Sequence, residues 1–192
     1  MSILQRKLPM PDEMLVKHCS PTLAGLKTGN LFSVMYESKM EMNQAIRMMN
    51  QRLADKGLRM IPLRYKDGKA LIYLYRPSLL EKNLADAEAV KLMQESGYEQ
   101  LTSSRCIARL ISRLMNTDEF PHEIGLFLGY PPEDVRGFIE NHANNYSCSG
   151  CWKVYGDKEK ARCTFARFKK CTDIYCELLR KGRSVEQLAV AV

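Results

Sequence analysis

Apolar residues recur along this chain in two rhythms. Over 38–56 they fall at helical spacing, Met42, Ile46, Met49 and Leu53, with Gly57 just past the end, and this predicts a helix. Ahead of it, 31–36 alternates and is aromatic, which marks a strand. Behind it, the runs 58–66 and 69–76 flank Asp67-Gly68, the pair that favours a type I′ turn, so a β-hairpin follows. Pro62 has no N–H to give to a ladder, which puts its strand at an edge or at a bulge.

Upstream, 12–19 reads as a short helix. Ser20-Pro21 then looks like a fresh helix start, with Ser as N-cap and Pro at the first helical position, and Gly25, Gly29 and Asn30 close the turn. From 77 to 141 the signals are helical, roughly 85–96, 103–116, 121–128 and 132–141, the last opened by Pro131-Pro132-Glu133-Asp134. A strand is expected over 147–155, then a long helix over 158–181 stopped by Gly182. The order is β-α-β-β, a helical insertion over about 77–145, then β-α. This predicts an α+β domain spanning 1–192, with a small, mainly antiparallel sheet and a long C-terminal helix; a ferredoxin-like split βαβ is one arrangement compatible with it.

At 192 residues and 45% hydrophobic, the chain can bury a core without disulfide or metal staples. No apolar run is long enough to span a bilayer, and the first residues lack the apolar region of a secretory signal, so a cytoplasmic protein without a membrane partner is expected. Seven cysteines, an odd count in a chain of this size, fit reduced thiols rather than a disulfide framework. The net charge of +7 is concentrated: 153–183 carries ten Lys/Arg against four acids. Those charges are interleaved with acids and lack a reader motif, which argues against nucleic acid as partner. Nothing in the sequence fixes the oligomeric state.

Two places carry candidate chemistry. In the first, Cys19 precedes the expected helix start, where free N–H groups and the helix dipole favour a thiolate or an anion. His18 adjoins it, and Lys27 and Asn30 add a cation and an amide after a small-residue turn. The spacing is not a phosphate-binding loop. The second is Cys148-Ser-Gly-Cys151 with Cys171, a set that chelates iron or zinc if a histidine supplies the fourth ligand. Cys163 is excluded, since it lies about 12 Å along a helix from Cys171. A redox reading of the C-x-x-C pair is disfavoured because the pair precedes a strand rather than opening a helix.

Three ordered segments, HCSPTLAGLKTGNLF (18–32), HEIGLFLGYPPEDVRGF (122–138) and CSGCWKVY (148–155) with 165–171, resemble a domain-of-unknown-function family frequent in clostridia and other anaerobic Firmicutes. The resemblance spans nearly the whole chain and implies a small cytoplasmic bacterial protein, with no activity attached. It directs attention to His18, Cys19, Thr22, Lys27 and Asn30, to His122, Glu123, Tyr130 and Asp134, and to Cys148, Trp152, Lys153, Tyr155 and Cys171. An aromatic residue often stands in that family where this chain has Cys151, which implies that the C-x-x-C pair is local to this protein.

The leading expectation is a small-ligand-binding or thiol-dependent domain with its pocket around 18–30. Cys19 would be the thiolate, His18 its neighbour and Lys27 an anion or carbonyl contact, while Thr22, Asn30, His122 and Tyr130 would line the pocket. The alternative is a metal, haem or iron–sulfur redox protein using Cys148 and Cys171 with His18 or His122. A third is a non-enzymatic module presenting the basic C-terminal helix.

Overall fold

The structure, a computed structural model, describes residues 10–117 and 119–191; the N-terminal residues read above for a secretory signal lie outside them. Its first helix departs from the sequence expectation. α1 runs unbroken over Asp12–Leu23 with Pro21 inside it. Ser20 caps nothing new: its hydroxyl donates back to the Val16 carbonyl, a bond Ser makes within a helix. The helix ends when the Gly25 N–H donates to Thr22 O and the Leu26 N–H to Pro21 O, with Gly25 at φ 73°. This is a glycine-closed helix C-terminus. Ser20-Pro21 is therefore a last turn, not a first, and Cys19 stands inside the helix rather than ahead of its N-terminus.

Strand β1 (Gly29–Met35) follows, then α2 (Lys39–Leu53), capped by the Ser38 hydroxyl and continued by one 3₁₀ turn, Ala54–Lys56. The hairpin stands as read. β2 (Arg59–Lys66) and β3 (Lys69–Tyr75) join through Asp67 and Gly68 at φ 50° and 71°, the two positive values a type I′ turn demands. The sheet order is β1-β3-β2 with both pairings antiparallel. β1 and β2 thus run parallel on either side of β3, which is a split βαβ unit. Pro62 lies on an end strand and beside a bulge as well, because the register slips between Pro62 and Arg64 and leaves Leu63 over.

The 147–155 segment does not add a fourth strand. It folds on itself as β4 (Cys148–Ser149) and β5 (Lys153–Val154), a separate two-stranded ribbon turning at Gly150. Between the sheet and the ribbon come α3 (Pro77–Leu84), α4 (Ala87–Glu95), α5 (Ser103–Asn116), α6 (Ile124–Phe127) and α7 (Pro132–Glu140). The ribbon leads into α8 (Lys158–Arg180) and the single turn α9 (Val185–Leu188).

β3 is covered on both faces. Ala70, Ile72 and Leu74 face a core shared with α1, α2 and α9, while Tyr73 and Tyr75 face a second core built by α3 to α7. α1 in turn packs along α8. Two buried charges organise the joins. Glu123 is 2% exposed, ion-paired to Arg113 Nη1 at 2.8 Å and accepting from the Tyr98 hydroxyl at 2.9 Å. Arg76, fully buried, donates to the carbonyls of Thr22, Leu23, Lys56 and Val190. It thereby locks the end of α1, and the turn after it, onto the sheet. No helix among the described residues is long and apolar enough to cross a membrane.

Candidate functional site

The turn that Arg76 locks carries Lys27 and Thr28. The Thr28 hydroxyl accepts from Asn83 Nδ2 at 2.7 Å, and Gly129 packs directly against it. A Cβ on Gly129 would stand 2.6 Å from Thr28 Oγ1, and its φ of +76° is one side chains rarely adopt, so only glycine allows this approach. The approach sets Tyr130, the next residue, beside Lys27.

The ribbon is brought to the same place by Asp134. This carboxylate, 3% exposed in the first turn of α7, accepts from the backbone N–H of Tyr155 and of Gly156 through Oδ1, at 2.7 and 2.8 Å, and from Trp152 Nε1 through Oδ2, at 2.6 Å. Trp152 is held so that it stacks on Tyr130, ring centroids 4.8 Å apart, with the edge of Phe165 against it at 4.6 Å. Tyr130 donates its hydroxyl to the Cys151 carbonyl at 3.2 Å. Three segments, the turn at 25–28 and, about a hundred residues and more further on, 129–134 and 150–156, thus meet through one glycine, one carboxylate and one aromatic stack.

Lys27 lies at the meeting point. It is 8% exposed, and its Nζ sits 5.2 Å from the Tyr130 ring centroid and 6.0 Å from that of Phe168, distances at which a cation is attracted to a ring face. Among the described residues no carboxylate pairs with it. Burial lowers its pKa to about 8, against which the nearby Cys151 and Cys19 sulfurs act weakly. Lys27 lines two clefts. One, about 430 Å³, is also walled by His18, Asn30, Tyr130, Cys151, Phe165 and Phe168. The other, about 340 Å³, is bounded by Thr28, Asn83, Gly129, Asp134, Trp152 and Phe168. A third cleft, about 330 Å³, shares Tyr130 and Trp152 and is completed by Phe120, His122, Phe138 and Lys153.

His18, Lys27, Asn30, Tyr130 and Cys151 therefore surround one cleft. The other expected residues do not take the roles read for them. Cys19 is fully buried in the sheet-side core inside α1; that burial pushes its thiol far above the ordinary range, and it has neither the helix N-terminus nor the solvent contact that favours a thiolate. Thr22 is also fully buried and acts behind the cleft, donating to Asn30 Oδ1 at 2.7 Å and so orienting that amide. His122 is exposed and lies edge-on to Phe138 in the third cleft, 5.0 Å between centroids.

Cys148 sits half-buried on β4, Cys151 is exposed at the ribbon turn and Cys171 is buried on α8. Among the described residues no three His, Cys, Asp or Glu side chains gather as a metal site, so a Cys148–Cys151–Cys171 centre completed by His18 or His122 does not assemble. The ribbon turn carries Cys151 to the wall of the cleft that Lys27 lines. The exposed face of α8 is stitched by Arg162–Glu159, Lys169–Asp173 and Lys181–Glu177 pairs, the pattern of a solvated helix face.

The resemblance pointed to Asp134 and Trp152 without a role for either, and Phe168 was not among the residues expected to build a site. Asp134 read as a helix-start acid, and its real work, three hydrogen bonds to a segment twenty residues on, leaves no local signal. Phe168 read as part of an apolar helix stripe, which it is; only the fold turns that stripe towards Lys27.

Comparison with protein-family models matches residues 15–189 to a family described as a protein of unknown function, DUF3793. No curated protein and no solved structure matches.

Proposed function

The chain belongs to that family of unknown function, and we propose that it is a small-ligand-binding protein whose ligand docks against Lys27. The observation that carries this reading is a lysine 8% exposed, without a carboxylate partner among the described residues, on the wall of two clefts. Removing an ammonium group from water costs several kcal/mol when no counter-charge comes with it. Structural positions avoid that cost, whereas binding sites accept it and recover it when the ligand arrives. Tyr130, Phe168 and Trp152 offer apolar faces around the amine, the mix of apolar wall and few polar anchors that marks small-molecule sites. The ligand this favours carries a carboxylate or carbonyl on a flat apolar body. All seven cysteines are unpaired, which supports a reducing, cytoplasmic setting.

Trp152, the chain's one tryptophan, stacks on Tyr130 and lines a Lys27 cleft, so its fluorescence is a built-in reporter. Titration with a panel of small aromatic acids, beginning with 4-hydroxybenzoate, is expected to quench it saturably. Lys27→Met, with its circular dichroism unchanged, should weaken that binding by about tenfold or more, the worth of a charged hydrogen bond. Equal affinity in the variant would remove Lys27 from the site and this reading with it.

A further inference from the structure

We propose that the Lys27 amine is a nucleophile that forms a reversible imine with a small aldehyde or ketone entering the cleft it shares with His18 and Asn30. The inference rests on the ligand-binding reading above and names the substrate class of that site.

The composition of the cleft favours a carbonyl over a simple anion. An anion site gathers several donors, but the other ammonium group here, Lys169, is already held by Asp173 at 2.6 Å. Besides the Cys151 thiol, and the Thr172 hydroxyl that donates to the Phe168 carbonyl, what remains is one amine, one amide and one imidazole. Imine formation needs those three functions: a nucleophilic nitrogen, a donor for the oxygen that leaves the carbonyl, and a group that passes protons. Asn30 Oδ1 is occupied by the Thr22 hydroxyl at 2.7 Å, which leaves its Nδ2 as the donor. His18 is exposed and lines the same cleft as Asn30, its imidazole open to water. The Tyr130 and Phe168 rings thin the water around Nζ, a setting in which lysines serve as Schiff-base nucleophiles. The lowered pKa of about 8 agrees, since it leaves a useful share of neutral amine near neutral pH. Exposed lysines such as Lys91, Lys169 and Lys181 are instead paired with Glu88, Asp173 and Glu177.

In the step itself the Nζ lone pair attacks the carbonyl carbon and a C–N bond forms as the C=O π pair moves to oxygen. The oxygen takes a proton, and nitrogen gives one up. The carbinolamine hydroxyl then takes a further proton from the solvent and leaves as water while the nitrogen lone pair closes the C=N bond, which stays protonated on Lys27. Addition of water reverses the sequence, so no oxidant or reductant is consumed.

The test uses the intact chain with acetaldehyde, small enough for any cleft, and cyanoborohydride, which reduces the imine and fixes it as an N-ethyl group readable by peptide mass spectrometry. At pH 7.5 Lys27 should be ethylated on the order of tenfold or more faster than Lys169 or Lys181, with the advantage shrinking as pH rises past about 8, where Lys27 is already largely neutral. Lys27→Arg should lose the label at that position and leave the others unchanged. Ethylation of Lys27 no faster than that of the exposed lysines would overturn the proposal. If 4-hydroxybenzoate still quenches Trp152 in that event, only the covalent step falls; if it does not, the ligand-binding reading falls too.

Discussion

Lys27 is set against the stability of the fold that holds it. Its pKa drops from an ordinary 10.5 to about 8 on burial, so between those values the unfolded chain binds more protons than the folded one. Stability must therefore rise with pH across that window, and below about pH 8 the full penalty applies, about 3 kcal/mol by the conversion of 1.36 kcal/mol per pH unit. Lys27→Met, nearly equal in volume and uncharged, should gain most of this at pH 7 and little of it near pH 10. Urea midpoints at pH 7 and 9.5 check it: a variant no more stable than the parent at pH 7 would mean that the amine is not desolvated as described. Cys19 shows the opposite case. Its burial is complete, but it sits in an apolar core as a small hydrophobe and asks nothing of the solvent.

At the scale of elements, the ribbon is held by Asp134 more than by its own ladder, which joins only two residue pairs. Asp134→Ala leaves the Tyr155 and Gly156 N–H groups and the Trp152 indole without an acceptor. A loss of about 2–4 kcal/mol follows from stranding charge-assisted bonds in a buried site. Trp152 emission should shift to longer wavelength while the three-stranded sheet keeps its far-ultraviolet signal; unshifted emission would show the ribbon docked by other means. The elements also show what a sequence can tell. The β2–β3 hairpin was legible because its signals are local: alternation, Asp67-Gly68 and a proline that spoils one ladder. Ser20-Pro21 misled because a serine hydroxyl satisfies a carbonyl in a last helical turn as readily as an N–H in a first one, and only Gly25 distinguishes them. The 147–155 run looked like one strand because Gly150, which bends it, also packs against Phe165, a contact with no local trace. His18, Lys27 and Asn30 were found as a group since they lie close together in sequence, on α1, the turn after it and β1. Their partners Tyr130 and Phe168 come from about a hundred residues away or more; the family resemblance pointed to Tyr130, but no periodicity records the meeting.

Over the whole molecule, the two cores on either side of β3 rank the cysteines by access. Cys151 and Cys163 are exposed, Cys148 and Cys176 intermediate, and Cys19, Cys106 and Cys171 buried. Alkylation of the native protein with iodoacetamide should modify Cys163 and Cys151 first and spare Cys19 and Cys106 until urea unfolds the chain. Burial also raises the thiols of Cys19 and Cys106 and slows them further. Early loss of Cys19 in native peptide maps would contradict the packing of α1 against the sheet. The bulge at Leu63 has a consequence of a different kind. β2 is an end strand of eight residues, and such strands are templates on which other chains add and aggregate. Here the proline removes one donor, the spare residue throws the spacing of the rest out of step, and Arg59, Arg64 and Lys66 place like charges along the strand. These features make β2 a poor template for a second copy of the chain.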